Sequence, residues 1–298
     1  MTIRPATIDQ VTVLEDSRRW QSIELRPGDI IISTPPKCGT TWTQGIVGSL
    51  LWSGRDLPDN IGQVSPWIDM RAGQIDELAQ RLGAQEHRRF LKTHSGADAL
   101  AIDSDVTYVV VYRDVRDALV SWGNHRGGMH PEIVEGCNAM AAADGVEPWP
   151  PKWSGDFDDL IDEWEPGHSP ARHLASWWPL RGEPNVVLVH YNDLKADLPG
   201  EMRRLAERLD IDVAEADWPE VVERCRIDRM RESVAAAGGL DFLFDGGVDR
   251  FFFKGTNGRW SDLLTDAQAE RCAALTAALP DDAAAWLEHG SLALGHRP

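Results

Sequence analysis

A nine-residue segment, TPPKCGTTW at residues 34–42, combines a lysine, a glycine and two adjacent hydroxyl side chains. It lies between an apolar run and a helical pattern, and the N–H groups at a helix N-terminus are unpaired and partly positive. Gly39 allows the backbone to approach a phosphate closely, Thr40 and Thr41 add donors, and Lys37 adds a full charge. The segment therefore predicts an anion site. It is not a Walker A loop, because that loop needs a Gly-Lys pair and the chain contains none.

A second segment, VVVYRDVRDALVSW at residues 109–122, also changes from an apolar run to a helical pattern. Arg113 follows the predicted strand, at the edge of a parallel sheet where ligands bind. Its planar guanidinium can hold a phosphate with two hydrogen bonds. Ser121 lies about two helical turns further on and can present its hydroxyl to the same side. Taken alone, Arg113 and Asp114 could equally form a solvated ion pair.

A third segment, FLKTH at residues 90–94, ends a predicted strand with a lysine and a histidine. A neutral imidazole accepts protons near pH 7, so His94 could be a general base. Lys92 could stabilise negative charge that develops on a transferred group. A single histidine after a strand often has only a structural role, and the chain contains nine histidines.

The elements that must position these residues alternate along the chain. Apolar runs predict strands at residues 29–33, 89–93, 106–112 and 185–191. Helical patterns occupy residues 42–51, 114–124, 193–208 and 265–287. This alternation predicts an α/β fold, a parallel sheet flanked by helices on both sides, within a single domain of residues 1–298. Residues 127–167 and 238–258 lack a clear period, and we expect the first of them to cover a pocket.

The composition limits the functional classes. The formal net charge of −18 argues against a nucleic-acid partner, and it requires any anion site to supply its own donors. No apolar run is long enough to span a membrane, and the N-terminus lacks an apolar signal region, so we expect a cytoplasmic protein. The four cysteines form no CxxC pair, and the sequence predicts neither a metal site nor a disulfide framework.

The segment PKCGTTW resembles the 5′-phosphosulfate loop of the cytosolic-type sulfotransferases, usually PKSGTTW, with Cys38 in place of the serine. Residues 109–122 resemble the site that binds the 3′-phosphate in this family. FFFKGTNGRW, at residues 251–260, resembles the family loop RKGxxGDWK. Phe253 here replaces its arginine and Arg259 its aspartate, so either Arg250 or Arg259 could supply the missing cation.

The resemblance implies a P-loop-like sulfotransferase fold and 3′-phosphoadenosine 5′-phosphosulfate (PAPS) as the donor, without a metal. It implies that His94 is the general base and that Lys37 and Lys92 are catalytic. Family alignment around Met230 puts Cys225 and Ile227 among the adenine contacts. The expected nucleotide-binding residues are Lys37, Cys38, Gly39, Thr40, Thr41, Trp42, Arg113, Ser121, Tyr191, Cys225, Ile227, Phe253, Lys254 and Gly255.

Apolar residues favour a hydrophobic hydroxyl acceptor, either a small molecule or a lipid. Residues 64–70 and 127–178 are expected to wall its pocket, and an alcohol, phenol, steroid or glycolipid would suit such a wall. The tryptophans clustered at 149–178 either pack the core or line this pocket. Two alternatives are a nucleotide kinase with an atypical phosphate loop and a non-catalytic nucleotide-binding protein. Residues 261–270 match the family's dimer segment only in part, so no oligomeric state is predicted.

Overall fold

A computed structural model describes residues 2–57, 60–165, 167–252 and 255–298 of the chain. Its strands are β1 Thr2–Arg4, β2 Ile30–Ser33, β3 Phe90–Thr93, β4 Ile102–Asp103, β5 Thr107–Tyr112 and β6 Val186–His190. The central sheet has four parallel strands in the order β3-β2-β5-β6, and β1 pairs with β4 in a small antiparallel sheet. The predicted α/β fold with a parallel sheet is confirmed.

Helices complete the fold. They are α1 Thr40–Leu51, α2 Ile61–Val64, α3 Ile75–Ala84, α4 Val115–Gly128, α5 Pro131–Ala141, α6 Phe157–Trp164, α7 Pro170–Trp177, α8 Tyr191–Ala196, α9 Leu198–Arg208, α10 Trp218–Arg224, α11 Ile227–Ala236, α12 Gly247–Phe251, α13 Trp260–Leu263, α14 Asp266–Ala274, α15 Asp281–His289 and α16 Ser291–Leu294. Short 3₁₀ turns cover Ser17–Ser22, Ala97–Ala99, Ala142–Asp144 and Trp178–Leu180. None of the helices in the described ranges is long and apolar enough to cross a membrane.

The sheet is buried on both faces because successive strand residues point to opposite sides. Ile30 and Ile32 of β2 pack with α1, α9 and α10 in one apolar cluster. Ile31 packs on the other face, in a cluster that includes residues of α3, α4, α6, α7 and α15. Both faces are therefore covered by helices, which explains why the strands are continuous apolar runs.

Two of the predicted helices are each divided into two helices in the structure. The helix expected at 193–208 is divided into α8 and α9 at Asp197, whose side chain accepts a hydrogen bond from the backbone N–H of Gly200. The pattern at 265–287 is likewise divided into α14 and α15, and Pro280 precedes α15. A proline cannot continue the hydrogen bonding of a preceding helix. The two segments that lack a clear period also contain short helices, namely α5 and α6 in the first, where short helices and loops were expected, and α12 in the second.

Candidate active site

A cavity of about 710 Å³ lies at the carboxyl ends of the parallel strands. Lys37 follows β2, His94 follows β3 and Arg113 follows β5, and all three line this cavity. Parallel strands bring their carboxyl ends to one edge of a sheet, where ligands of α/β proteins bind. The anion sites predicted around Lys37 and Arg113 therefore lie on one shared cavity.

The loop between β2 and α1 has the geometry of an anion site. Gly39 precedes α1 with φ 107° and carries no side-chain cap, so no side chain occupies the first N–H groups of the helix. A Cβ added at Gly39 would lie 3.1 Å from Cδ2 of Tyr191, so a larger residue would crowd this ring. Lys37 also has a positive φ, of 67°, and Thr40 and Thr41 line the cavity beside it.

Arg113 is nearly buried and is held by the loop at residues 255–258. Its Nη2 donates to the backbone oxygen of Thr256 at 2.9 Å and to Oδ1 of Asn257 at 2.8 Å. The same loop is fixed a second time, because the N–H of Gly258 donates to both carboxylate oxygens of Asp117 at 3.0 Å. Ser121, which lies one helical turn beyond Asp117 on α4, also lines the cavity. The guanidinium is therefore oriented before any ligand binds.

Several of the expected nucleotide-binding residues form a small aromatic and apolar wall. The rings of Trp42 and Tyr191 meet edge to face, with centroids 5.1 Å apart. The guanidinium of Arg113 lies 4.5 Å from the centre of the Tyr191 ring. Ile227 and Gly255 also line the cavity, and a Cβ on Gly255, which has φ 58°, would meet Cδ1 of Ile227 at 2.9 Å.

His94 is only 7% exposed, and its ring orientation is fixed by one hydrogen bond. Its Nδ1 lies 2.5 Å from the backbone oxygen of Thr34, which can only accept, so Nδ1 carries the proton. The neutral ring therefore has its lone pair on Nε2. Burial lowers the pKa of His94 well below 6.5, and the charge of Lys92 lowers it further. The imidazole is consequently neutral at pH 7 and able to accept a proton.

Another buried histidine, His173, differs from His94. Its Nδ1 contacts the hydroxyl of Tyr112 at 2.7 Å, and its Nε2 lies 3.1 Å from the backbone oxygen of Ser95. Both ring nitrogens are thus already in hydrogen bonds. Burial lowers the pKa of His173 to about 3. This arrangement fits a structural histidine better than a catalytic base.

The two lysines beside His94 are unusually easy to deprotonate. Burial lowers the pKa of Lys37 to about 7, with the nearby charges of Lys92 and Arg113 adding to the effect. Burial also lowers the pKa of Lys92 to about 8, although Asp69 and Glu15 oppose that shift. A bound anion would restore the full charge on both ammonium groups.

The cavity wall is locally cationic in an acidic protein. Among the described residues, its carboxylates are Asp117 and Glu132, whereas its cationic side chains are Lys37, Arg71, Lys92, Arg113 and Arg259. These side chains supply the local positive charge that an anion site requires in a protein with a net charge of −18. No group of three or more metal-ligating side chains occurs in the ranges that the structure describes.

The far side of the same cavity is apolar. The predicted segments contribute Trp67 and Met70 from 64–70, together with α5 and its flanking residues from 127–178. Within residues 238–258 the sequence assigns a role only to the end of the segment, in nucleotide binding, yet this segment also supplies much of the apolar wall: Leu240, Phe242, Leu243, Phe244, Phe251 and Phe252. The available signal was the concentration of five phenylalanines at 242–253. Of the clustered tryptophans, Trp164, Trp177 and Trp178 pack in the core.

His125 is a further residue that the sequence reasoning missed. Its Nδ1 lies 3.3 Å from Nζ of Lys37, and its ring stacks on Trp122 with centroids 5.2 Å apart. Burial lowers the pKa of His125 well below 6.5. A neutral ring accepts a hydrogen bond from the Lys37 ammonium through Nδ1. The one available signal in the sequence was its position four residues after Ser121, which puts both side chains on the same face of a helix.

The thiols of two expected site residues do not line the cavity. Cys38 is fully buried in the core, and the thiol of Cys225 points to the backbone oxygen of Gly45 at 3.7 Å, so neither side chain lines the cavity. Burial raises the pKa of each thiol to about 12. The backbone oxygen of Cys225 accepts a 2.8 Å hydrogen bond from the indole of Trp42. The expected nucleotide contacts of these two cysteines therefore stay predictions.

The structure separates the two arginines that could replace the family's loop arginine at residues 251–260. Phe253 and Lys254 lie outside the described residues. Of the two candidate arginines, Arg259 lines the cavity, whereas Arg250 does not. The Nε of Arg250 instead donates to the backbone oxygen of Asn124 at 2.9 Å, and Asn124 returns a bond to the backbone of Arg250. Position therefore favours Arg259.

Comparisons with known proteins agree with this geometry. A family model described as the sulfotransferase domain matches residues 27–282. A glycolipid sulfotransferase of Mycobacterium bovis is 33% identical over 94% of this chain and 93% of its own length. Human sulfotransferase 1C2 is 25% identical over 90% of this chain and 86% of its own length.

The fold of this chain is similar to those of solved structures. Retinol dehydratase, in complex with androsterone and the inactive cofactor PAP, matches with a TM-score of 0.65 at 19% identity, covering 88% of this chain and 84% of that one. Mouse sulfotransferase SULT7A1 in complex with PAP matches with a TM-score of 0.64 at 17% identity, covering 88% of this chain and 89% of that one.

Proposed function

The chain belongs to the sulfotransferase family and transfers a sulfuryl group from PAPS to a hydroxyl, and we propose that His94 activates an amphiphilic alcohol as the acceptor. The observation that carries this proposal is the fixed tautomer of His94 on the wall of the strand-end cavity. A base with its lone pair on Nε2 is positioned for an incoming hydroxyl. The same cavity has cationic donors on one side and an apolar wall on the other.

The reaction follows from these groups. As the acceptor hydroxyl gives its proton to Nε2 of His94, its oxygen forms a bond to sulfur. The bond between sulfur and the bridging phosphate oxygen breaks, and 3′-phosphoadenosine 5′-phosphate (PAP) leaves with both electrons of that bond. Positioning and charge complementarity dominate such a transfer. The histidine then releases its proton to solvent, which regenerates the neutral ring.

We assign the remaining groups by charge and position. Lys37, with the N–H groups that follow Gly39, would stabilise the charge that grows on the leaving phosphate. Lys92 would neutralise the oxygens of the transferred group. Arg113 and Ser121 would bind the 3′-phosphate, while Trp42 and Tyr191 would contact the adenine. The donor set of the cavity thus fits a nucleotide that carries two phosphate groups.

The acceptor class is argued from the apolar wall. Trp67, Met70 and the phenylalanines of 242–252 favour a long or bulky hydrophobic portion over a highly charged chain. The relatives named glycolipid sulfotransferases make a lipid with a sugar headgroup the first class to test. We also propose a single domain over residues 1–298, since both apolar clusters share one sheet. The cytoplasmic location stays a prediction.

Two measurements test this function. In a thermal shift assay without magnesium, PAP should raise the melting temperature, whereas ATP should not. In a transfer assay with labelled PAPS, phenols, sterols and alkyl glycosides are compared as acceptors, and we expect amphiphilic acceptors to be labelled fastest. A chain that ATP stabilises as strongly as PAP, or that labels only charged hydrophilic acceptors, would contradict the proposal.

A further inference from the structure

A second cavity, of about 840 Å³, lies on the other side of His94. It is bounded by the N-terminal residues 8–15, by the loop at 144–150 and by residues of α6 and α7. The two cavities share His94, Pro36 and Trp122, as well as Val13 and Leu14. The proposed base therefore lies where the two cavities meet.

We propose that this second cavity, the headgroup cavity, binds the uncharged polyhydroxyl headgroup of the acceptor while the apolar portion occupies the first. The inference rests on the proposed function and adds a subsite to it. A hydroxyl that reaches Nε2 of His94 lies at the junction of the two cavities. Because the first cavity must also hold the nucleotide and is otherwise apolar, the polar remainder of the acceptor has room only on the other side.

The carboxylates of the headgroup cavity suit neutral hydroxyl groups. Asp98 pairs with Arg172, and Asp144 pairs with Arg71 at 2.7 Å. Asp144 also pairs with Arg18 at 2.7 Å. These charges are already compensated, so the pairs attract a free cation only weakly. A paired carboxylate nevertheless keeps lone pairs that can accept hydrogen bonds from hydroxyl groups.

Three further carboxylates of the headgroup cavity are exposed and have no cationic partner. Asp9, Glu147 and Asp159 line the cavity and form no ion pair within the described part of the chain. Uncompensated carboxylates repel anionic headgroups and accept hydrogen bonds from sugar hydroxyls. The half-buried ring of Trp149 lines the same cavity, backed by the guanidinium of Arg126 at 4.1 Å from the ring centre. An aromatic face of this kind packs against the C–H face of a sugar ring.

A double substitution, Asp9→Asn with Glu147→Gln, tests the headgroup cavity without removing bulk. The acceptors are an alkyl glucoside and a simple alcohol of the same chain length, and the readout is PAP release. Asn and Gln each keep one acceptor oxygen but lose the charge that strengthens its hydrogen bonds, so KM for the glucoside should rise about 5–10-fold. We expect kcat/KM for the alcohol to change less than about twofold. Glu207→Gln combined with Asp212→Asn, an equal charge change at two exposed residues outside both cavities, is the matched control.

A steric variant tests the same cavity independently. Val146 lines the headgroup cavity and is absent from the wall of the first, so Val146→Trp should fill only the second. We expect it to suppress transfer to the glucoside by about tenfold while the alcohol is still used. An unchanged melting-temperature increase with PAP shows that the variant is folded.

The outcomes separate the two proposals. Equal losses for glucoside and alcohol, or no loss for either, would overturn the headgroup cavity while leaving the proposed function intact. A loss greatest for an alkyl acceptor bearing an ammonium group would also overturn it, because it would assign the cavity to cations. If the unmodified enzyme labels neither acceptor, the acceptor class itself is wrong and the inference fails with it.

Discussion

His94 combines three features that a general base needs: burial, neutrality and a fixed tautomer. Replacing it with alanine removes the proton acceptor but leaves the phosphate loop and Arg113 in place. We expect His94→Ala to reduce the transfer rate about 10²–10⁴-fold. The affinity for PAP, measured by calorimetry, should stay within about threefold. Full activity of this variant would exclude His94 as the base, and a parallel loss of PAP affinity would assign it to nucleotide binding instead.

Lys37 predicts how nucleotide binding depends on pH. Because its pKa is about 7 in the ligand-free protein, the ammonium form is lost as the pH rises through this value. An anionic nucleotide favours the charged form and so raises this pKa. The affinity for PAP should therefore be highest just below pH 7 and fall above it, by at most about tenfold per pH unit.

Calorimetric titrations between about pH 6.5 and 9 check this dependence, which the linkage of proton and ligand binding requires. In Lys37→Met the decline should start about one unit higher, because Lys92, with a pKa of about 8, is then the first lysine to lose its proton. A variant that keeps the original dependence would show that another group titrates in this range.

At the scale of the element, the β2–α1 loop depends on one glycine. Gly39 has φ 107°, and a Cβ there would press on the Tyr191 ring. Gly39→Ala should cost roughly 1–2 kcal/mol of folding free energy and weaken PAP binding about tenfold or more. Denaturant unfolding and calorimetry measure the two effects.

Gly83→Ala is the matched control for this loop. Gly83 lies in α3 with open space around its Cα, and it does not require a positive φ. Alanine favours helix over glycine, so this change should leave PAP binding unchanged and stabilise the protein by up to about 1 kcal/mol. If both alanine variants bind PAP equally well, the loop conformation is not what creates the anion site.

At the scale of the whole molecule, a buried ion pair supports the edge of the sheet opposite the cavity. Arg89 and Asp29 are 3% and 2% exposed, and they precede β3 and β2. The Nε of Arg89 donates to Asp29 at 2.9 Å, and its Nη2 donates to the backbone oxygen of Glu24 at 2.9 Å. The pair joins the two strands that carry Lys37 and His94 at their far ends.

Arg89→Met leaves the Asp29 charge buried without its partner. We expect a loss of about 3–5 kcal/mol in the free energy of unfolding, measured with urea. PAP affinity of the folded fraction should be unchanged, since the pair is remote from the cavity. Arg203→Met, which breaks an exposed pair with Glu215, should leave the unfolding transition nearly where it is. Similar losses in both variants would contradict this ranking by burial.

The sequence by itself determined the fold class and the edge of the sheet at which the site lies. Apolar runs and glycine or arginine at their ends are local signals, and parallel strands must bring those ends together. Lys37 and Arg113 could therefore be assigned to one edge of the sheet, whereas the role of His94 came from the resemblance to the sulfotransferases. The sequence alone also showed that this loop is not a Walker A loop, because it contains Lys-Cys-Gly and no Gly-Lys pair.

Tertiary structure decided what depends on contacts between distant residues. The proton on His94 is set by the backbone of Thr34, sixty residues earlier, and Arg250 is held away from the cavity by its bonds to Asn124, whereas Arg259 lines it. The thiols of Cys38 and Cys225 do not line the cavity, because Cys38 is buried in the core and Cys225 points to the backbone oxygen of Gly45, contacts that a motif does not encode. The headgroup cavity joins residues 8–15 to residues near 147 and 173, and no local pattern predicts where such separate segments leave space between them.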